Sequence, residues 1–211
     1  MGMYKVVVFD CETDSLPTKE FGFRYTECTC ACALAFEMST IGASDNTQTL
    51  LDSGVSITCW RDVIEPGRRG PFDQLFDAFD AAHLVVGFNC LSFDFPVLKK
   101  YYNCRDGAAT RYWSHRIKTL DVFCRLRDVL DTWPKLSDLL RENGLGSKLT
   151  TGDNAIVMWE AQRRVELEDY CRVDVRKTAE LALLPVVIFK HLLIPSSVYG
   201  IEGERLKSSR G

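Results

Sequence analysis

The segment Tyr4–Phe9 is rich in β-branched residues, is almost continuously apolar and leads directly into acidic residues. Such a run is typical of a strand buried on both faces, so it predicts a strand in the middle of a sheet. Asp10 and Glu12 follow, and side chains two residues apart project from the same face of a strand. Two carboxylates that close repel each other and favour a cation between them. Taken alone, however, the pattern favours a strand that simply ends in polar surface residues.

Two further strands are predicted next along the chain. In Glu27–Met38, apolar residues at every second position predict a strand with one common apolar face. The residues on this face are Cys28, Cys30, Cys32, Leu34 and Phe36. Ser39–Ser53 is polar and rich in turn-forming residues, and Val55–Trp60 predicts a third strand. The three strands are expected to form an antiparallel meander.

The remaining pattern is mostly helical. Phe72–Ala82 has apolar residues at three- and four-residue spacing, which predicts an amphipathic helix, and Leu84–Phe88 predicts a short strand. The other predicted elements are helices over Asp94–Tyr102, Leu120–Thr132, Lys135–Asn143 and Trp159–Leu184, and a short strand near Arg116–Thr119. Strands with helices behind and between them predict an α/β fold in which helices cover a mixed sheet.

Composition and charge limit the possible classes of protein. A chain of 211 residues, 46% of them hydrophobic, can build a core without metals or disulfides, and we predict one domain over residues 1–202 with a flexible tail over 203–211. The formal charge of −3 argues against binding nucleic acid through bulk positive charge. Nine cysteines, an odd number, and no leader-like segment predict an intracellular protein, cytoplasmic or nuclear, with reduced thiols.

No membrane span is expected. The longest apolar run near the end, Leu181–Ile194, is interrupted by Pro185 and Lys190 and is too short to cross about 30 Å of hydrocarbon. The oligomeric state is left open by the sequence.

A second acidic position, Asp94, lies between a predicted strand and a predicted helix. Its place just before Pro96, which suits the first turn of a helix, is typical of an N-cap residue. Phe93 and Phe95 flank this carboxylate, and aromatic faces are platforms on which unpaired bases stack. A core position is an equally good interpretation of either ring.

A third acidic position, Asp174, lies in the long predicted helix. Tyr170 is four residues earlier and therefore lies on the same helix face. The alternative is a solvated face, because charged residues crowd this part of the helix: Glu166, Glu168, Asp169, Arg172 and Arg176.

Together, these segments resemble the motifs of the DEDD exonucleases of the ribonuclease H-like superfamily, in the tyrosine-bearing (DEDDy) branch. The similarity is greatest to stand-alone predicted 3′–5′ exonucleases akin to the proofreading domain of family B DNA polymerases. Phe9–Leu16, Gly87–Leu98 and Tyr170–Val175 resemble the first, second and third motifs of that family. The segments that resemble intervening landmarks are Lys118–Asp121, Lys135–Leu140 and Trp159. The resemblance covers residues 4–184, and the insertion at residues 39–53 has no counterpart in it.

The resemblance implies a ribonuclease H-like mixed β-sheet and a 3′–5′ exonuclease acting on single-stranded nucleic acid, with DNA favoured over RNA. Phosphodiester bonds would be hydrolysed to nucleoside 5′-monophosphates by a two-metal-ion mechanism. The implied ligands of the two divalent cations are Asp10, Glu12, Asp94 and Asp174. Oxygen ligands favour Mg²⁺ or Mn²⁺ over zinc.

The resemblance also implies that Tyr170 orients the attacking water. The residues that would contact the terminal nucleotides are Thr13, Leu16, Asn89 and Phe93. The expected partners are the 3′ end of a single strand and a replication or repair protein. The sequence does not distinguish between proofreading, repair, replication and RNA trimming as the biological role.

Three other interpretations remain. A non-catalytic nucleic-acid-binding or polymerase-docking module would need no crowded carboxylates, and a ribonuclease H-like endonuclease would use the same carboxylates. Cys28, Cys30 and Cys32 are alternative zinc ligands. Their spacing fits one strand face better than a tight Cys-x₂-Cys turn, and buried thiols are common in protein cores.

Overall fold

Five strands form a mixed sheet in the order β3-β2-β1-β4-β5 in the computed structural model, which describes residues 3–39, 46–104, 107–146 and 152–201. The strands are β1 (Met3–Thr13), β2 (Cys28–Ser39), β3 (Val55–Trp60), β4 (Leu84–Gly87) and β5 (Thr119–Asp121). β1, β2 and β3 pair antiparallel, whereas β4 pairs parallel with both β1 and β5. The predicted α/β class is therefore confirmed, with its antiparallel meander and parallel strands.

Nine helices and one hairpin complete the described part of the chain. The helices are α1 (Thr47–Asp52), α2 (Asp73–Ala81), α3 (Asp94–Leu98), α4 (Ala108–Ile117), α5 (Val122–Leu130), α6 (Leu136–Glu142), α7 (Gly152–Glu160), α8 (Arg164–Leu183) and α9 (Ser196–Tyr199). A 3₁₀ helix over Lys99–Cys104 continues α3. The hairpin strands are β6 (Val186–Phe189) and β7 (Leu192–Pro195). No helix among the described residues is long and apolar enough to span a membrane.

The structure differs from the predicted elements at several places. Helix α1 lies inside the polar segment 39–53, and the Asn46 side chain caps it by accepting from the N–H groups of Gln48 and Thr49. The predicted long helix over Trp159–Leu184 is two helices, because the chain turns at Gln162, whose φ is 58°. Helix α4 and the hairpin were not predicted. The tail expected over residues 203–211 lies outside the described residues.

Both faces of β1 are buried, as the sequence predicts. Val6 and Val8 pack on the face that α8 covers, whereas Val7 and Phe9 pack on the opposite face. Phe95 is fully buried on that opposite face and contacts Phe9 edge to face, with the ring centroids 5.5 Å apart. The interpretation of Phe95 as a stacking platform is therefore wrong, because the core of the protein encloses its ring.

A β-bulge changes the faces of β2 near its start. Glu12 pairs with Cys30 but Thr13 pairs with Cys28, so Thr29 is an extra residue on β2. Such a residue reverses the alternation of side chains, and Cys28 therefore joins the face opposite to Cys30. The predicted common face of the cysteines is wrong for Cys28.

Candidate active site

Asp10 and Glu12 lie within β1, because the strand continues through Thr13 rather than ending at Phe9 as predicted. Both residues point to the face that α8 covers. Their carboxylate oxygens and the Sγ atom of Cys171 on α8 all lie within 4.8 Å of one another. Glu12 is buried with 8% of its surface exposed, so neighbouring side chains, more than solvent, surround its charge. This pair of oxygen donors suits a divalent cation.

Tyr170 and Asp174 reach the same place from α8, which packs against β1 and β2. Both are buried, with 2% and 3% of their surfaces exposed, so the solvated-face alternative is wrong for them. Burial raises the pKa of Tyr170 well above its ordinary value, and the charges of Asp174, Glu12 and Asp10 raise it further. The phenol therefore keeps its proton and is neutral, and it lies close to the Asp174 carboxylate.

Asp94 approaches from the opposite side of β1. It is the first residue of α3, and Phe93 occupies the N-cap position, so the predicted N-cap role of Asp94 is wrong. Its Oδ1 atom accepts a hydrogen bond from the backbone N–H of Cys11 at 2.9 Å. Burial raises the pKa of Asp94 to about 6, and hydrogen bonds from Cys11 oppose that shift. The carboxylate is thereby tied to the residue between Asp10 and Glu12.

The four predicted carboxylates thus converge on the carboxyl half of β1 from three elements. They do not form one tight cluster: in the described part of the chain, Asp94 and Asp174 stand outside the 4.8 Å group of Asp10, Glu12 and Cys171. Oxygen donors of this kind fit hard divalent cations such as Mg²⁺ or Mn²⁺.

Asp121 holds the loop that carries two predicted substrate contacts, Asn89 and Phe93. Its Oδ1 atom accepts from the N–H groups of Asn89 at 2.9 Å and Cys124 at 3.2 Å, and its Oδ2 atom accepts from Leu91 at 2.9 Å. These bonds fix Asn89 at φ 61°, a conformation that non-glycine residues seldom adopt. The sequence marked Asp121 only as a family landmark, since two of its three partners, Asn89 and Leu91, lie 32 and 30 residues away.

The other predicted substrate contacts differ in exposure. Leu16 is 52% exposed, whereas Thr13 is buried and donates its hydroxyl hydrogen to the Ser15 carbonyl at 2.9 Å. Phe93 is half-buried and packs edge to face against Phe23, with ring centroids 5.7 Å apart. Leu16 therefore presents the most open surface of these residues.

The sequence analysis missed an exposed aromatic pair on the loop between β1 and β2. Phe21 and Tyr25 are 44% and 61% exposed, their ring centroids lie 5.3 Å apart, and the Arg24 guanidinium lies 5.4 Å from the Tyr25 ring centroid. Ser15, which precedes Leu16, donates to the Tyr25 carbonyl at 3.4 Å. The aromatic-rich segment at residues 21–25 is the sequence feature that indicates this pair, and it lies outside the three motifs.

No family model and no curated protein matches the chain. Among solved structures, it is similar to the family B DNA polymerase of the hyperthermophilic archaeon Pyrobaculum calidifontis, with 16% identity and a TM-score of 0.53. It is also similar to E. coli Exonuclease I in complex with a dT13 oligonucleotide, with 15% identity and a TM-score of 0.50. Both alignments cover 85% of this chain, but only 24% of the polymerase and 40% of the exonuclease. The chain therefore has the ribonuclease H-like fold of 3′–5′ exonucleases.

Proposed function

We propose that the chain is a metal-dependent 3′–5′ exonuclease that removes nucleoside 5′-monophosphates from single-stranded nucleic acid, DNA in preference to RNA. The observation that carries the proposal is the convergence of Asp10, Glu12, Tyr170 and Asp174 on one face of β1, with Asp94 bound to the backbone beside them. An exonuclease of similar fold has been solved with a DNA oligonucleotide, which supports the choice of DNA.

The residues of the proposed site would have different roles in phosphodiester hydrolysis. Two divalent cations, Mg²⁺ or Mn²⁺, would supply water activation and charge stabilisation at the scissile phosphate when bound. Asp10 would bridge both cations, Glu12 and Asp174 would hold the one beside the attacking water, and Asp94 would support the other. Tyr170 is neutral and lies close to Asp174, and its hydroxyl would position that water.

The net charge of the chain is consistent with binding at one end of a single-stranded nucleic acid. Without the four carboxylates of the proposed site, the formal charge of the chain would be +1 rather than −3. A nearly neutral scaffold does not track a long phosphate backbone by counterion release. The substrate would instead be held by the cations and by stacking on exposed side chains such as Leu16, Phe21 and Tyr25.

Product lengths from a 5′-labelled single strand test the proposal. With Mg²⁺ or Mn²⁺ we expect a ladder that shortens one nucleotide at a time, faster for DNA than for RNA of the same sequence, and no cleavage after chelation of the metal. A discrete internal cut would instead identify an endonuclease. Binding of the strand without any cleavage would identify a non-catalytic module.

Replacing Tyr25 by alanine tests the stacking surface. Because a stacked base contributes about 1–3 kcal/mol, we expect KM to rise roughly 5- to 150-fold while kcat stays nearly constant. Steady-state kinetics on a short single strand measure both constants. The matched control is Ile117→Ala, which removes an 85% exposed side chain before β5, at the opposite end of the parallel strands from the site. An unchanged KM in Tyr25→Ala would remove this ring from the substrate surface.

A further inference from the structure

Three thiols converge behind the proposed active site. Cys30 and Cys32 extend from one face of β2, and Cys171 extends towards them from α8. The three Sγ atoms lie within 4.8 Å of one another, and each residue is at most 1% exposed. We propose that these three cysteines bind a thiophilic cation of the Zn²⁺ class, at a site that adjoins the oxygen ligands of Asp10 and Glu12.

The distances suit such an ion. Thiolates bind zinc at about 2.3 Å, so two of them sharing a tetrahedral ion lie roughly 3.8 Å apart. The Sγ atoms of Cys30 and Cys32 are 3.9 Å apart. Sulfur ligands select soft cations, whereas the neighbouring carboxylates select hard ones, so the two sites discriminate between metals. Each thiol releases its proton to solvent when the ion binds.

A cavity borders this site on one side. Cys32 lines a cavity of about 250 Å³ between β2 and α8, whose wall also includes the arginines Arg172 and Arg176. A water molecule in this cavity would supply the fourth ligand that three cysteines leave open.

The thiol site is coupled to the proposed active site through Cys171. Its Sγ atom donates a hydrogen bond to the backbone carbonyl of Asp10 at 3.5 Å and also lies within 4.8 Å of the Asp10 and Glu12 carboxylates. Binding of a cation by the thiolate removes this hydrogen bond. Because three thiolates and one divalent ion carry a net charge of −1, it also adds negative charge beside both carboxylates. Zinc at the thiol site therefore alters the turnover of the nuclease, a consequence that rests on the proposed function, whereas the site itself does not.

Cadmium titration tests the site without any activity measurement. Protein kept reduced and stripped of metal by a chelator is titrated with Cd²⁺, and the ultraviolet charge-transfer absorption of the cadmium–thiolate bonds is recorded. We expect saturation at one Cd²⁺ per chain and loss of the absorption when Zn²⁺ competes. Cys32→Ser should abolish the absorption. Cys28→Ser, a buried cysteine of the same strand on the opposite face, is the matched control and should retain it.

Two further variants separate a failure to fold and a failure of the nuclease proposal from a failure of the thiol site. Cys171→Ala serves if Cys32→Ser fails to fold, as judged by circular dichroism. Asp10→Asn should keep full Cd²⁺ absorption, so failure of the nuclease proposal and failure of the thiol site are separate results. Absence of the absorption in the wild type, its persistence in Cys32→Ser and Cys171→Ala, or its equal loss in Cys28→Ser would each overturn the proposal.

Discussion

An Asp10→Asn variant is expected to lower kcat by at least about 10³-fold, because it removes a negatively charged ligand that the proposed mechanism assigns to both cations. Metal-ion stabilisation of transition-state charge contributes several kcal/mol, and each 1.36 kcal/mol corresponds to a factor of ten in rate. The substitution conserves the shape of the side chain, so the fold should be nearly unchanged. Single-turnover cleavage of a labelled single strand measures the effect.

The same variant should be more stable than the wild type when no divalent metal is present. Asp10 and Glu12 place like charges within 4.8 Å, and replacing one of them by a neutral amide removes their repulsion. The melting temperature should therefore rise by a few degrees in chelator, and the difference should shrink when Mg²⁺ or Mn²⁺ is added.

Asp169→Asn is the matched control for both measurements. Asp169 is the exposed neighbour of Tyr170 on α8, and its replacement should change neither turnover nor melting temperature appreciably. Wild-type turnover in Asp10→Asn would exclude Asp10 from the site. An unchanged melting temperature in chelator would show that the two carboxylates do not repel each other strongly in the folded protein.

An Asp121→Ala variant is expected to lose about 3–5 kcal/mol of the free energy of unfolding. The buried carboxylate accepts hydrogen bonds from the backbone N–H groups of Asn89, Leu91 and Cys124, and each buried donor without a partner costs about 1–3 kcal/mol. The loop that carries Asn89 and Phe93 should also loosen, which raises KM for the single strand. Urea denaturation followed by circular dichroism measures the loss of stability.

Two further variants test whether the loss of stability comes from the hydrogen bonds of Asp121. Asp121→Asn should be milder, because the amide oxygen can replace Oδ1 as acceptor, whereas the amide nitrogen cannot accept from Leu91. Asp128→Ala removes an exposed carboxylate that pairs with Arg127 on the same helix, and it should cost at most about 1 kcal/mol. Equal losses in Asp121→Ala and Asp128→Ala would contradict the role assigned to Asp121.

Local periodicity was enough to predict the elements that carry the carboxylates. The apolar run before Asp10 identified β1, and the four-residue spacing of Tyr170 and Asp174 placed both on one face of α8. These patterns depend only on side-chain direction within one element. The break at Gln162 carries neither glycine nor proline. The β6–β7 turn uses Lys190 and His191, at φ 46° and 70°, where glycine or asparagine is the usual signal.

Features that depend on tertiary pairing could not be predicted from the sequence. The bulge at Thr29 exists only in the pairing of β1 with β2, so the face of Cys28 was predicted wrongly. The bond from Cys11 to Asp94 joins residues 83 positions apart, and no local pattern distinguishes it from an N-cap. Cys171 meets Cys30 and Cys32 only when α8 packs on the sheet.

Helix α8 makes the proposed site intolerant of changes in chain length. Each residue of an α-helix advances about 1.5 Å and turns about 100°, so Tyr170 and Asp174 face β1 together because three residues separate them. One residue inserted between them would rotate Asp174 about 100° away from β1 or force α8 to bulge. Single-residue insertions should therefore be tolerated in the exposed turn at Gly67, between β3 and α2, but inactivate the protein between Tyr170 and Asp174.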